Sequence, residues 1–214
     1  MKVIELQKSV TESNDLDAQK LREELQEKKV TLINIMSSPG AGKTTLLSKT
    51  IKDLKSRIRF GVLEADIASD VDAIRIEEIG AKSIQVHTDG MCHMDAGMTR
   101  KGLEELGFED LDIVFLENVG NLICPAEFDT GAHINAMILS IPEGDDKPLK
   151  YPYMFSKVDI LLISKCDTNK FFAFNLDQCI EYVKKLNPNI KIYPLSAKTG
   201  QGMEAWENEL LDIS

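Results

Sequence analysis

Ser37-Ser38-Pro39-Gly40-Ala41-Gly42-Lys43-Thr44-Thr45 is the stretch whose reading decides the fold. An apolar run, residues 32–36, leads into it, and residues 44–54 follow with Leu46, Leu47, Ile51 and Leu54 at helical spacing. A strand, a glycine-bearing loop ending in Lys-Thr and then a helix is the setting in which the G-x-x-x-x-G-K-S/T pattern binds phosphate. Loop amides and the helix N-terminus face the anion, the lysine ammonium neutralises its outer oxygens, and the threonine hydroxyl is placed to hold Mg2+. Ser38, Pro39, Gly40, Ala41, Gly42, Lys43, Thr44 and Thr45 are therefore the candidate phosphate contacts. Ser37 stands where the pattern has its first glycine, but Gly40, Gly42, Lys43 and Thr44 all remain.

Outward from this loop, apolar runs at 60–63, 84–86, 113–116, 136–141, 158–163 and 190–193 alternate with amphipathic stretches at 70–79, 95–105, 174–186 and 203–211. That alternation predicts an α/β fold, a doubly wound, mostly parallel seven-stranded sheet with helices on both faces. Leu21 and Leu25, one helical turn apart, make 15–29 a short amphipathic helix, so residues 1–29 read as a helical extension packed on a domain spanning 30–214. Residues 142–153, with three prolines among charges, read as an exposed functional loop.

A chain of 214 residues, 43% of them hydrophobic, can bury one substantial core without disulfides. Its formal net charge of -10 argues against a nucleic-acid surface, because phosphate backbones recruit basic clusters. No run approaches a membrane span, so a soluble, cytoplasmic protein is expected. Four scattered cysteines read as free thiols or metal ligands.

Phosphate chemistry of this type needs an acid near Mg2+ at the end of a neighbouring strand. Asp66, in Glu64-Ala65-Asp66, and Glu117, in Glu117-Asn118-Val119-Gly120, both fit, and Gly120 offers a flexible amide to sense a terminal phosphate. Ser164-Lys165-Cys166-Asp167 resembles the guanine-reading N-K-x-D pattern. Its Asp167 carboxylate can accept from the ring N–H and the exocyclic amine of guanine, and the amide in Ser196-Ala197-Lys198 can donate to the guanine carbonyl. Ser164 is shorter than the asparagine that usually ties the base loop to the phosphate loop, so the residues specify base identity more firmly than base affinity. A GTPase follows, and with no glutamine comparable to the water-orienting residue of signalling GTPases, a slow one.

Cys92 and His93 are adjacent, and thiolate and neutral imidazole suit nickel or zinc. Cys124 lies four residues beyond Gly120. In a parallel sheet, the loops carrying these residues leave the same edge and can converge. A symmetric dimer could complete the coordination, and a switch that moves with the terminal phosphate would carry Cys124 with it. Cys166 and Cys179 read as packing thiols, His87 and His133 lack obvious partners, and Met91, Met94 and Met98 read as packing at helical spacing.

SSPGAGKTTLL, EADIASDVDAIRI, GMCHMDA, ENVGNLICPAEFD and EGDDKPLKYP together resemble the nickel-incorporation GTPase of hydrogenase maturation, the HypB family, from residue 32 onward. The resemblance implies a SIMIBI-class GTPase that dimerises with GTP and holds nickel or zinc through Cys92, His93 and Cys124. It further implies that the metal passes toward the nickel-iron hydrogenase large subunit, with a HypA-type metallochaperone as partner. Lys43 and Thr44 would serve phosphate and Mg2+, Asp66 Mg2+ or the attacking water, Glu117 with Gly120 the second switch, and Lys147 would approach nucleotide across the dimer. Three departures stand out. Residues 1–29 lack the Cys or His of an N-terminal nickel store, Ala65 replaces a usual glycine, and Ser164 replaces the asparagine. The alternatives are a urease-type nickel GTPase, a P-loop small-molecule kinase, and a nucleotide-dependent binding protein with negligible turnover. Cys92-His93 with Cys124-Pro125 favours the hydrogenase branch over the first, and the guanine-reading pair speaks against the kinase.

Overall fold

The computed structural model describes residues 6–65 and 76–214. Helix α1 (Leu6–Glu27) precedes seven strands: β1 (Thr31–Ser37), β2 (Phe60–Glu64), β3 (Lys82–Gln85), β4 (Ile113–Glu117), β5 (Ile134–Ser140), β6 (Ile160–Ser164) and β7 (Lys191–Pro194). They form one sheet in the order β3-β2-β4-β1-β5-β6-β7, every pair parallel. Between and after them lie α2 (Lys43–Leu54), α3 (Ala96–Leu106), α4 (Lys147–Lys150), α5 (Pro152–Lys157), α6 (Leu176–Leu186) and α7 (Met203–Ile213). The expected seven-stranded doubly wound sheet is thus present, with strand ends shifted by one or two residues.

Strands buried on both faces read as continuous apolar runs, and β1 shows why. Ile33 and Ile35 point to one side, where Leu47 and Ile51 of α2 and Trp206 and Leu210 of α7 cover them. Leu32 points to the other, under Leu21 and Leu25 of α1 and Leu103 of α3. Met36 joins a neighbouring cluster beneath Phe155 of α5 and Val183 of α6. Each such side chain contributes about 1.5–3 kcal/mol by leaving water. The layers fix the sheet, and the carboxyl ends of β1, β2, β4 and β6 then open onto one edge.

Helix α1 is longer than the sequence suggested, because helical hydrogen bonding continues through the polar residues ahead of Asp15, where apolar periodicity gives no signal. Arg22 pins it, with Nη2 donating to both Asp129 carboxylate oxygens at 2.7 and 2.8 Å and Nε to Ala132 O at 2.9 Å. His133 also has partners here, contrary to the sequence reading. The Leu32 amide donates to its Nδ1 at 3.1 Å, so Nε2 carries the proton and lies 3.2 Å from Arg22 O. Among the described residues, no helix is long and apolar enough to cross a membrane.

The expected loop at 142–153 is mostly helical. A 3-10 turn, Ile141–Glu143, is closed by Glu143 accepting from both the amide and hydroxyl of Ser140 at 2.8 Å, and short helices α4 and α5 follow. Pro142, Pro148 and Pro152 sit in first turns, where no amide donor is needed, so the prolines that signalled a loop begin helices instead. Of the helix expected at 70–79, residues 76–78 are described and helical.

Candidate functional site

The chain leaves β1 into the phosphate loop through two positive-φ glycines, Gly40 at 74° and Gly42 at 98°, the second capping α2. The loop walls a cleft of about 570 Å³ whose other side is Glu64, Glu117, Asn118 and Gly120. Lys43 Nζ donates to Ser37 Oγ at 3.1 Å, so the serine in the place of the first glycine holds the phosphate lysine. Thr44 Oγ1 donates to Glu117 Oε1 at 3.0 Å, two hard oxygen donors suited to Mg2+. The β2–β4 register sets Glu64 beside Glu117, and Glu64, which the sequence reading passed over, is a buried acid lining the cleft. Asp66 lies outside the described residues.

Gly120 presses against Pro39, and a β-carbon on it would meet Pro39 N and Cα at 3.2 Å. Any larger residue here would force this segment or Pro39 to shift by a few tenths of an ångström.

A second cavity of about 250 Å³ adjoins the cleft, sharing Gly42, Thr45 and Lys165 with it and lined by Asp167, Ser196, Ala197 and Lys198. All the sequence-assigned base-reading residues therefore meet there. The Ser196 hydroxyl donates to Asp167 Oδ1 at 2.7 Å and orients the carboxylate. Ser164 does reach the phosphate loop, its Oγ donating to Ala41 O at 2.8 Å, and Lys165 Nζ donates to Gly40 O at 2.7 Å. The shorter side chain thus still ties the base loop to the phosphate loop, by a direct buried hydrogen bond. Lys147 lines neither cavity. It pairs with Glu143 at 3.5 Å and lies over the Tyr151 ring at 5.3 Å.

Cys92, His93 and Cys124 converge, their ligand atoms all within 4.8 Å of one another. The Cys92 thiol contacts the Cys124 sulfur at 2.7 Å and stands 3.8 Å from His93 Nδ1. Tetrahedral coordination at Zn–S of about 2.3 Å and Zn–N of about 2.0 Å needs S···S near ~3.8 Å and S···N near ~3.5 Å. The S···N spacing fits already, and the sulfurs must part by about 1 Å. The His93 ring stacks on Phe128, centroids 3.7 Å apart, and burial holds its pKa below the ordinary value, which favours the neutral imidazole, the form that can ligate a metal. The Cys92 thiol is pushed up, chiefly by its hydrogen bond with Cys124, which favours the protonated form. The carboxylate of Glu127 adds negative charge beside both.

Met94 is buried and Met98 packs against the same cluster, as expected, while Met91 is exposed. Cys179 is buried, its thiol pushed up to about 12, and burial raises Cys166 as well. Neither joins the cluster. Sequence reasoning missed the polar side chains that span the site. Asn118 Oδ1 accepts from the Met94 amide at 3.2 Å, and Asn121 Nδ2 donates to Cys92 O at 3.3 Å. The signal available was a polar residue, Asn34, inside the apolar run of β1. It accepts from Asn118 Nδ2 at 3.1 Å and donates to Asn135 Oδ1 at 3.0 Å.

The chain also matches known proteins. The family model for the CobW/HypB/UreG nucleotide-binding domain matches residues 31–194. Hydrogenase maturation factor HypB of Rhizobium leguminosarum bv. viciae is 43% identical over 205 residues, 96% of this chain and 69% of that protein. Hydrogenase/urease maturation factor HypB of Helicobacter hepaticus is 42% identical over 203 residues, 92% of this chain and 82% of that protein. The crystal structure of HypB from Helicobacter pylori in complex with nickel superposes with a TM-score of 0.88 at 39% identity, covering 94% of each chain.

Proposed function

Because the chain belongs to the CobW/HypB/UreG family, on its HypB branch, we propose that it is a cytoplasmic GTP-hydrolysing metallochaperone that binds nickel, or zinc, and releases it according to nucleotide state. One observation carries the reading. The Mg2+-side acid Glu117 and the thiol Cys124 stand at the two ends of a single eight-residue stretch, 117–124, which faces the phosphate loop at Gly120 and the metal cluster at Cys124. A change at the terminal phosphate therefore has a short covalent route to the metal.

The reaction is GTP plus water giving GDP and phosphate. Lys43 and the loop amides neutralise the transferred phosphoryl group, and Asp167 with the Ala197 amide selects guanine. Thr44 and Glu117 would hold Mg2+, which would supply positive charge to the phosphates when bound. Asp66 is assigned to Mg2+ or the attacking water. Turnover is slow, in keeping with a switch. Nickel is the cargo, passed on by a GTP-promoted homodimer in which Lys147 would exchange Glu143 for the partner's nucleotide. The partners are a HypA-type metallochaperone and the nickel-iron hydrogenase large subunit. Delivery toward urease is the second reading, favoured by the Helicobacter relative whose name carries both enzymes.

The test is nickel and zinc titration of the wild type and Cys124→Ala, each with and without GTP. Weaker binding by the variant and a nucleotide effect in the wild type support the reading, and identical affinities in all four states would remove it. Steady-state GTP hydrolysis by Asp66→Ala at the wild-type rate would exclude a chemical role for that residue.

A further inference from the structure

Cys124 is covalently attached to the 117–124 segment, but Cys92 and His93 belong to a different loop, between β3 and α3. If only Cys124 moved with the nucleotide, the metal would lose one ligand and keep two. The side chains on either side of Gly120 supply the missing connection. Asn118, 1% exposed, accepts from the Met94 amide, the residue after His93. Asn121 donates to the carbonyl of Cys92, the residue before His93. The two asparagines thus grip the main chain on both sides of the imidazole.

At its other end the grip is anchored. Asn118 Nδ2 donates to Asn34 on β1, which is itself 1% exposed and bonded to Asn135 on β5. Asn118 Oδ1 also accepts from the Val119 amide at 2.9 Å, and Asn121 Oδ1 from the Ile123 amide at 2.9 Å, so each side chain is fixed to its own segment as well. Gly120, between them, rests on Pro39 of the phosphate loop. The buried Asn118 amide has few alternative partners, so displacing Gly120 must either drag Met94 along or leave polar groups unmatched, while the partly exposed Asn121 adds a second contact at Cys92.

We propose that Asn118 and Asn121 are positioning residues that transmit nucleotide state to Cys92 and His93, so that all three metal ligands, not Cys124 alone, respond to the terminal phosphate. This rests on the reading that metal affinity is coupled to nucleotide state, and it names how the second loop is recruited. Neither residue is among the three metal ligands, and although Asn118 also lines the cleft, both side chains are engaged by main-chain partners. Their effect belongs in the coupling, not in either binding event by itself.

The experiment uses the full chain and Ni2+ in competition with a chromophoric chelator, with Mg2+ and either GDP or a non-hydrolysable GTP analogue. The quantity read is the ratio of nickel Kd in the two nucleotide states. Coupling of this type spans about 5–150-fold, and nickel must shift nucleotide affinity by the same factor. Asn121→Asp keeps the bond from Ile123 but loses the donor to Cys92, and Asn118→Ala removes the contact to Met94. The expected result is a ratio falling to within about threefold of one in the double variant and to intermediate values in each single variant, with nickel still bound in the absence of nucleotide. Asn121→Asp alters a partly exposed side chain, so it reports even if Asn118→Ala folds poorly. A double variant, or a folded Asn121→Asp, with the wild-type ratio overturns the proposal. A wild-type ratio of one overturns the underlying coupling reading as well, and the two failures are told apart by the wild type alone.

Discussion

Ser164→Ala separates what the base loop does for stability from what it does for affinity. The hydroxyl donates to Ala41 O at 2.8 Å in a buried contact between the end of β6 and the phosphate loop. Losing such a bond costs about 0.5–1.5 kcal/mol net, and up to about 3 kcal/mol where the remaining carbonyl finds no partner. Lys165 still donates to Gly40 O, so one of the two ties survives and a value of about 1–2 kcal/mol is expected. The bond joins two protein groups and needs no ligand atom, so its loss is expected to weaken the free and bound forms alike. Thermal unfolding without nucleotide should show a Tm lower by about 2–8 °C, since 1 kcal/mol moves a domain of this size by about 2–4 °C. Titration with a fluorescent GDP should show Kd changed by less than about threefold, because binding does not remake the bond. An unchanged Tm with GDP binding weakened tenfold would refute the reasoning, placing the tie in the bound form only.

Gly120→Ala puts a methyl 3.2 Å from Pro39 N and Cα, backbone atoms that cannot rotate away. A stability loss of about 1–3 kcal/mol in urea unfolding of the nucleotide-free protein is expected, and none would mean that the segment stands off the phosphate loop. Asp167→Asn should shift preference from guanine toward xanthine nucleotides, because the amide donates where the carboxylate accepted; unchanged preference for GTP in competition binding contradicts the base-site assignment. Burial holds His133 below its ordinary pKa of 6.5. The native state therefore takes up this proton less readily than the unfolded chain, and its stabilising share is complete above that value and lost as pH falls below it, at no more than about 1.4 kcal/mol per pH unit. His133→Gln should flatten the fall in stability measured from about pH 8 to 5.5, and because burial shifts His93 the same way, only the difference from wild type belongs to His133.

The sheet was legible because strands covered on both faces must be apolar throughout, and Leu32, Ile33, Ile35 and Met36 say so without help from neighbours. The phosphate loop was legible because contiguous residues make it. Ser164 and Ser37 were readable only as departures. Sequence shows that a side chain is short, but not that a carbonyl or an ammonium has come within its reach. The prolines at 142, 148 and 152 misled for a related reason, since proline marks a break in hydrogen bonding that serves a helix start as well as a loop.

The cluster of Cys92, His93 and Cys124 lies between these extremes. Cys92 and His93 announce themselves by adjacency, and Cys124 joins them once the sheet is known to be parallel, because parallel strands deliver their following loops to one edge. No such rule places an asparagine. Asn34, Asn118 and Asn135 sit on or at the ends of three neighbouring strands, and only the register that sets Asn34 opposite Leu116 and Asn135 joins them into a line. A polar residue in the middle of a central strand costs stability unless it is paired. Its presence there demands partners, and following Asn34 to Asn118 and onward leads from the sheet to the main chain beside His93. The feature that least suits a hydrophobic core therefore marks the contact between the nucleotide and metal ends of the site.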